Sequence, residues 1–196
     1  MINIYRTDDR IISEIDQYMA GAWVKLTAPT LEECAEISDC FHMDIADVRA
    51  ALDDEESSRI NLEDDYTLIL VDIPSAEMRN NRHSYTTIPL GILIAEDVVI
   101  TVCAEETAVL RSFVEQRVRD FSTKKQMRFT YQVLYNACMV YQSLLRSIDR
   151  KRTEIEERID KNTEDVDLID LHELESNLVY FATSLRANGV VLDRLT

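Results

Sequence analysis

Residues 87–102 read TIPLGILIAEDVVITV. Two runs of Val, Ile and Leu flank Glu96-Asp97, which predicts a hairpin of Thr87 to Ala95 with Val98 to Val102. Tyr66 to Ile73 (YTLILVDI) has the same texture, and runs this apolar suit central strands covered on both faces. Ile60 and Leu62 begin the strand before it, with Asp64-Asp65 as the turn between. Further out, Ile2 to Tyr5 and Trp23 to Leu26 are expected strands, and the polar stretch Glu77 to Ser84 is expected to be an exposed loop or hairpin tip. Thr30-Leu31-Glu32-Glu33 is a capping box: the Thr30 hydroxyl can accept from the amide three residues on, and Glu33 can reach back. The helix it opens should turn Leu31, Cys34 and Ile37 inward. Asp44 can cap a second, shorter helix with Ile45, Val48 and Leu52 on its apolar side. The fold class is α/β, a mixed β-sheet flanked by helices.

The texture changes near residue 104. Pro29, Pro74, Pro89, Gly21 and Gly91 all precede it, and only Gly189 follows. Loss of these punctuating residues signals long helices. One helix is expected within Glu105 to Asp120, with Val109, Phe113 and Val118 apolar. A longer one should run from Met127 to Ile159, burying Leu134, Ala137, Tyr141, Leu144, Ile148, Ile155 and Ile159. Asn162 to Asp167 is a polar break. Beyond it, Leu171, Leu174, Leu178, Phe181, Leu185, Asn188, Leu192 and Leu195 alternate steps of three and four, the spacing of a coiled-coil seam. That pattern is still running at Thr196, so long antiparallel helices are expected to lead into a truncated stalk helix. The expected divisions are 1–104 for the sheet, 105–162 for the helical part and 168–196 for the start of the stalk.

Composition narrows the function. The 196 residues are 46% hydrophobic, enough for one sizeable core. Acidic residues number 37 against 21 basic, a formal charge of -16. That opposes nucleic acid, whose phosphates need Lys and Arg, and it opposes docking of this segment on anionic lipid. No apolar stretch reaches the roughly 18 residues of a membrane span, and Met1 to Arg10 lacks a signal peptide's apolar core. Cys34, Cys40, Cys103 and Cys138 lack CxxC spacing and read as reduced thiols of a cytoplasmic segment. Zinc at Cys34, Cys40 and His42 is disfavoured, because the two thiols would leave a helix on different faces. No phosphate loop, nucleophile elbow or HExxH pair is present, and His42, His83 and His172 each stand alone. The chain does not read as an enzyme.

Carboxylates are the remaining chemistry. They cluster at Asp53-Asp54-Glu55-Glu56, at Glu63-Asp64-Asp65, and at Glu164-Asp165 with Asp167 and Asp170. Hard oxygen ligands suit magnesium and calcium, but the central Gly and fixed spacing of an EF-hand loop are missing. Such clusters are more often a solvated loop or cap than a metal site, and carboxylates from two subunits would strengthen a site.

Taken in order, several blocks resemble the cytoplasmic domain of the CorA family of divalent-cation transporters. They are Trp23-Val24-Lys25-Leu26 with Pro29-Thr30-Leu31-Glu32-Glu33, Ala51-Leu52-Asp53-Asp54-Glu55-Glu56 with Arg59-Ile60, and Asp64-Asp65-Tyr66-Thr67-Leu68-Ile69-Leu70. Pro89-Leu90-Gly91-Ile92, Ile100-Thr101-Val102, and Ser176 to Phe181 with Thr183-Ser184-Leu185-Arg186 and Asn188 complete the set. Ser57-Ser58 departs from the Arg-Pro often found before the Arg-Ile pair.

The resemblance implies an α/β domain feeding a stalk helix that continues into membrane spans, with the pore signature beyond Thr196. It implies a homopentamer in the cell (inner) membrane, with this segment cytoplasmic. It also implies magnesium as transported and regulatory ion, with cobalt, nickel or zinc as further cargo in the family. Asp53 and Asp54 are the nearest candidates for metal ligands. The expected function is a cytoplasmic regulatory or gating domain that senses intracellular divalent cation between subunits. A soluble helical scaffold that oligomerises through the last helix fits the heptads as well.

Overall fold

The computed structural model describes residues 1–79, 82–159 and 165–195. Seven strands form one mixed sheet: β1 (Ile2–Asp8), β2 (Ile11–Ile15), β3 (Ala22–Thr27), β4 (Arg59–Leu62), β5 (Tyr66–Arg79), β6 (Arg82–Ala95) and β7 (Val98–Cys103). Their order is β2-β1-β3-β7-β6-β5-β4. All neighbours are antiparallel except β3 and β7, which run parallel with Trp23 opposite Val99 and Leu26 opposite Val102. Parallel strands need a long crossover, and everything between β3 and β7 supplies it.

The hairpin read from residues 87–102 is β6–β7, and Tyr66 to Ile73 is the inner half of β5. Both β5 and β6 are 14 residues long, well beyond the expected Tyr66 to Ile73 and Thr87 to Ala95. They pair from Tyr66 opposite Ala95 out to Arg79 opposite Arg82, so the stretch expected as a loop or tip is mostly strand; residues 80 and 81 lie outside the described residues. β2 was not expected. It is a short edge strand that buries Ile12 and leaves Ile11 in solvent.

One face of the sheet carries α1 (Leu31–Phe41) and α2 (Ile45–Arg49), followed by a short 3-10 turn at Ala50–Leu52. The capping box opens α1: the Thr30 hydroxyl accepts from Glu33 N–H, and the Glu33 carboxylate accepts from Thr30 N–H. Cys34, Ile37 and Val48 pack with Val24, Leu26, Leu68 and Ile100. Leu31 and Ile45 are exposed instead of inward, because each is the first residue of its helix and leans past the sheet. The 3-10 turn comes so close that a Cβ on Gly91 would lie 3.2 Å from the Ala51 Cβ. Gly91 is therefore needed for close approach.

The other face carries α3 (Ala108–Val114) and α4 (Gln126–Ile159). Here Trp23, fully buried, meets Phe113, Phe121 and Phe129 edge-on at centroid distances of 5.0–6.2 Å. α3 is shorter than the helix expected over Glu105 to Asp120. Thr107 caps its start, and the chain turns with positive φ at Gln116 and Asp120 to bring Phe121 into this aromatic cluster. α4 buries Leu134, Ala137, Tyr141, Ile148 and Ile155 as its periodicity required.

α5 (Asp165–Leu195) runs back antiparallel to α4. Tyr141 meets Phe181 at 5.1 Å, Tyr131 O–H donates to Leu195 C=O, and Arg158 pairs with Asp167. At about 1.5 Å per residue, the 34 residues of α4 span about 50 Å and outrun the sheet. Of the polar break expected over Asn162 to Asp167, residues 165–167 already belong to α5, and residues 162–164 lie outside the described residues.

The heptad expectation for α5 is half right. Leu174 and Phe181 are buried, but Leu178 and Leu185 are 40% and 36% exposed. The buried stripe is Asp167, Asp170, Leu174, Asn177, Phe181, Ser184 and Val191, at steps of three and four with Asn188 filling the last gap. The seam is turned from the leucine row toward a polar one, because what it faces is the margin of a β-sheet.

Candidate functional site: the joint between the sheet and the last helix

The β4–β5 ladder ends with Arg59 opposite Leu70. Two residues further along β5, Asp72 has no β4 residue beside it. Opposite it on β6 stands Pro89, which has no N–H to donate. The main chain of Asp72 therefore turns outward, and α5 supplies its partner. Asn188 Oδ1 accepts from Asp72 N–H at 2.9 Å, and Asn188 Nδ2 donates to Asp72 C=O at 2.7 Å. A side-chain amide thus makes the two bonds that a neighbouring strand would make. Tyr141 O–H, from α4, donates to the same carbonyl at 3.1 Å.

Ser58, just before β4, donates to Asn188 Oδ1 at 3.0 Å. The Ser184 and Ser58 hydroxyls stand beside the Asp72 carboxyl. Burial pushes this carboxyl above the usual range, and the two hydroxyls offset part of that rise. Burial likewise pushes the Tyr141 phenol up, with Asp72 adding to it. Further along α5, Ser184 and Thr87 share a hydrogen bond at 2.8 Å, and Asn177 Oδ1 accepts from Tyr85 N–H at 3.2 Å. Phe181 and Leu174 fill the space between these polar contacts. At the far end, Arg158 clamps α4 to α5 through Asp167 at 2.8 Å and Asp170 at 3.5 Å.

Of the carboxylates singled out in the sequence, Asp53 and Asp54 precede Ser58 of this joint by five and four residues, whereas Asp167 and Asp170 pair with Arg158 at its far end. Asp53 and Asp54 are exposed in the turn between the 3-10 turn and β4. Asp53 Oδ1 accepts from Glu55 N–H at 3.0 Å, and Glu56 pairs with Arg59. Glu63, Asp64 and Asp65 are exposed in the turn at the other end of β4. Among the described residues of a single chain, no three His, Cys, Asp or Glu side chains converge as a metal site. Cys34 is buried and Cys40 exposed, on different faces as expected. Among the described residues no helix is long and apolar enough to cross a membrane.

Sequence reasoning singled out Asn188, which the structure makes the pivot of the joint. It passed over Ser58, Asp72, Tyr141 and Ser184. The one available signal was Asp72 itself, a lone carboxylate inside the apolar run LILVDI.

The profile of the CorA-like Mg2+ transporter protein family matches residues 19–196. The cobalt/magnesium transport protein CorA of Methanocaldococcus jannaschii is 24% identical over 174 residues, covering 87% of this chain and 53% of the relative. The chain thus spans about half the length of that relative. The solved soluble domain of CorA from the same organism superposes with a TM-score of 0.84 at 22% identity, over 98% of this chain and 77% of that one. The ZntB cytoplasmic domain from Vibrio parahaemolyticus gives 0.67 at 12% identity, over 98% and 79%. These likenesses carry the fold, a seven-stranded mixed sheet flanked by helices with two long helices after it. With its ordered sequence blocks, its sheet and nine-tenths of its length under the family profile, the chain belongs to the CorA-like family.

Proposed function

We propose that this chain is the cytoplasmic regulatory part of a CorA-like magnesium transporter, and that α5 relays the state of its acidic turns. The observation that carries the reading is the Ser58–Asn188–Asp72 bridge. Ser58 is five residues from Asp53 and four from Asp54, so the segment holding the candidate ligands is tied directly to the last helix. A divalent cation held by Asp53 and Asp54, with carboxylates of an adjoining subunit, would screen acidic faces that otherwise repel. Each copy contributes a formal charge of -16. Cation loss would release the turn, loosen Ser58 from Asn188 and let the subunits move apart. That is a population shift driven by different affinity for two states.

The assembly in this reading is a homopentamer in the full-length protein, seated in the cell membrane through spans this chain does not contain. The outward side of α5 suits packing between copies, since Leu168, Val179, Tyr180 and Val190 are exposed there. Magnesium is the proposed cargo and regulator; cobalt, nickel and zinc are the other ions its chemistry could admit.

Magnesium at millimolar concentration is expected to raise the melting temperature of this chain more than sodium chloride at matched ionic strength, because specific binding adds to screening. Asp53→Ala with Asp54→Ala should remove that excess, and Ser58→Ala should keep binding while weakening its effect on α5. Equal shifts from both salts, or an excess that survives the double substitution, would overturn the assignment.

A further inference from the structure

The joint holds a carboxylate where a neutral group would be desolvated at lower cost. Asp72 stands at the contact between β5 and α5, and the groups that face it from each neighbouring element are neutral or already paired. From α5 it meets Ser184 and Asn188, both neutral. From α4 it meets Tyr141, a phenol that burial keeps neutral. From β6 it faces Pro89 and, through Ser184, Thr87. From the segment before β4 it meets Ser58, and the nearby Arg59 is engaged with Glu56. Among the described residues no Lys, Arg or His pairs with it. A half-buried carboxylate without a charged partner favours its protonated form, so the state with α5 docked binds a proton more tightly than the state with α5 detached.

We propose that Asp72 is a proton-responsive latch: α5 is held against the sheet most firmly when Asp72 is protonated and is loosened when it ionises. The sign follows from the direction of the shift. Below the ordinary aspartate value, docked and detached forms are both protonated and the full hold is present. As pH rises above that value, the detached form ionises first, and the hold declines until the docked form has ionised as well. Asn188, Tyr141 and the main chain of Asp72 keep a residual hold that does not titrate in this range. This latch concerns the single chain and does not depend on cation sensing or transport.

The test is hydrogen exchange of the α5 amides around Ser184 to Val191 in the whole chain, corrected for intrinsic exchange rate, between pH 4 and pH 8. In the wild type, opening of this segment should become more frequent as pH rises, by about tenfold for each unit by which docking raises the Asp72 titration. Asp72→Asn should make the opening independent of pH over this range. Ser184→Ala keeps the carboxyl but removes a hydroxyl that favours its ionised form, so the pH at which opening levels off should move upward. Parallel pH profiles for wild type and Asp72→Asn would overturn the latch. If that variant does not fold, an unmoved profile in Ser184→Ala would overturn it instead.

Discussion

Replacing Asn188 with Ala removes the amide that stands in for a strand. Three hydrogen bonds go: from Asp72 N–H, to Asp72 C=O, and from Ser58. At about 1 kcal/mol each the gross loss is about 3 kcal/mol. Tyr141 still holds the Asp72 carbonyl, so only the Asp72 N–H and Ser58 lose a partner outright. The site is half-buried and water can reach it, which brings the expected loss to about 2 kcal/mol. With a urea slope of about 2 kcal/mol per M, the α5 transition should move down by about 1 M. Two probes separate helix from sheet. Trp23 is the chain's single tryptophan and is fully buried in the aromatic cluster against α3 and α4, so its fluorescence reports the sheet core. Circular dichroism at helical wavelengths is dominated by α4 and α5. In Asn188→Ala the dichroism should fall at lower urea than the fluorescence, as α5 leaves first. Coincident transitions at the wild-type midpoint would refute the view that Asn188 anchors the helix.

Two glycines should respond in opposite directions to alanine. Gly189 lies inside α5 with nothing within 4 Å of an added Cβ, so Gly189→Ala should stabilise by about 1 kcal/mol, seen as a higher urea midpoint. Gly91→Ala must push Ala51 aside from 3.2 Å in a packed core and should destabilise by about 1–3 kcal/mol, seen as a lower midpoint. Tyr66 donates to Asp47 at 2.7 Å, and burial followed by that bond pushes its phenol up to about 12. Its contribution to stability is complete below the ordinary tyrosine value near 10 and is lost as pH rises through about 12. Ultraviolet titration should show several tyrosines ionising late, Tyr18 and Tyr141 among them, and Tyr66→Phe should remove the step near pH 12.

What the sequence made legible was whatever hydrophobicity alone decides. The Val, Ile and Leu runs of Tyr66 to Ile73 and Val98 to Val102 could only be covered strands, and the spacing of Leu134, Ala137, Tyr141, Ile148 and Ile155 could only be one helix face. Where polar atoms decide, the reading went astray. β2 buries one side chain, Ile12, too few to mark a strand. On α5 the leucine row outscored Asn177 and Ser184, yet these two are 2% and 5% exposed. Their burial follows from unpaired main-chain and hydroxyl groups on β5 and β6, which no window along α5 contains. Asn188 was legible as a polar residue in a seam, but its partner Asp72 lies 116 residues away. Asp53 and Asp54 were legible as acidic, and the tether through Ser58 that gives their position meaning was not.

A helix that completes a sheet also guards it. With Asn188 in place, the outward N–H and C=O of Asp72 are already taken at the point where β4 stops. If α5 lifts away, the outer half of a 14-residue strand presents an open margin, a template on which another extended chain can add. Detachment of the helix and sticking of one copy to another by strand addition would then be the same event. Long storage or crowding should select against variants that weaken the amide bridge, even where their thermodynamic loss is small.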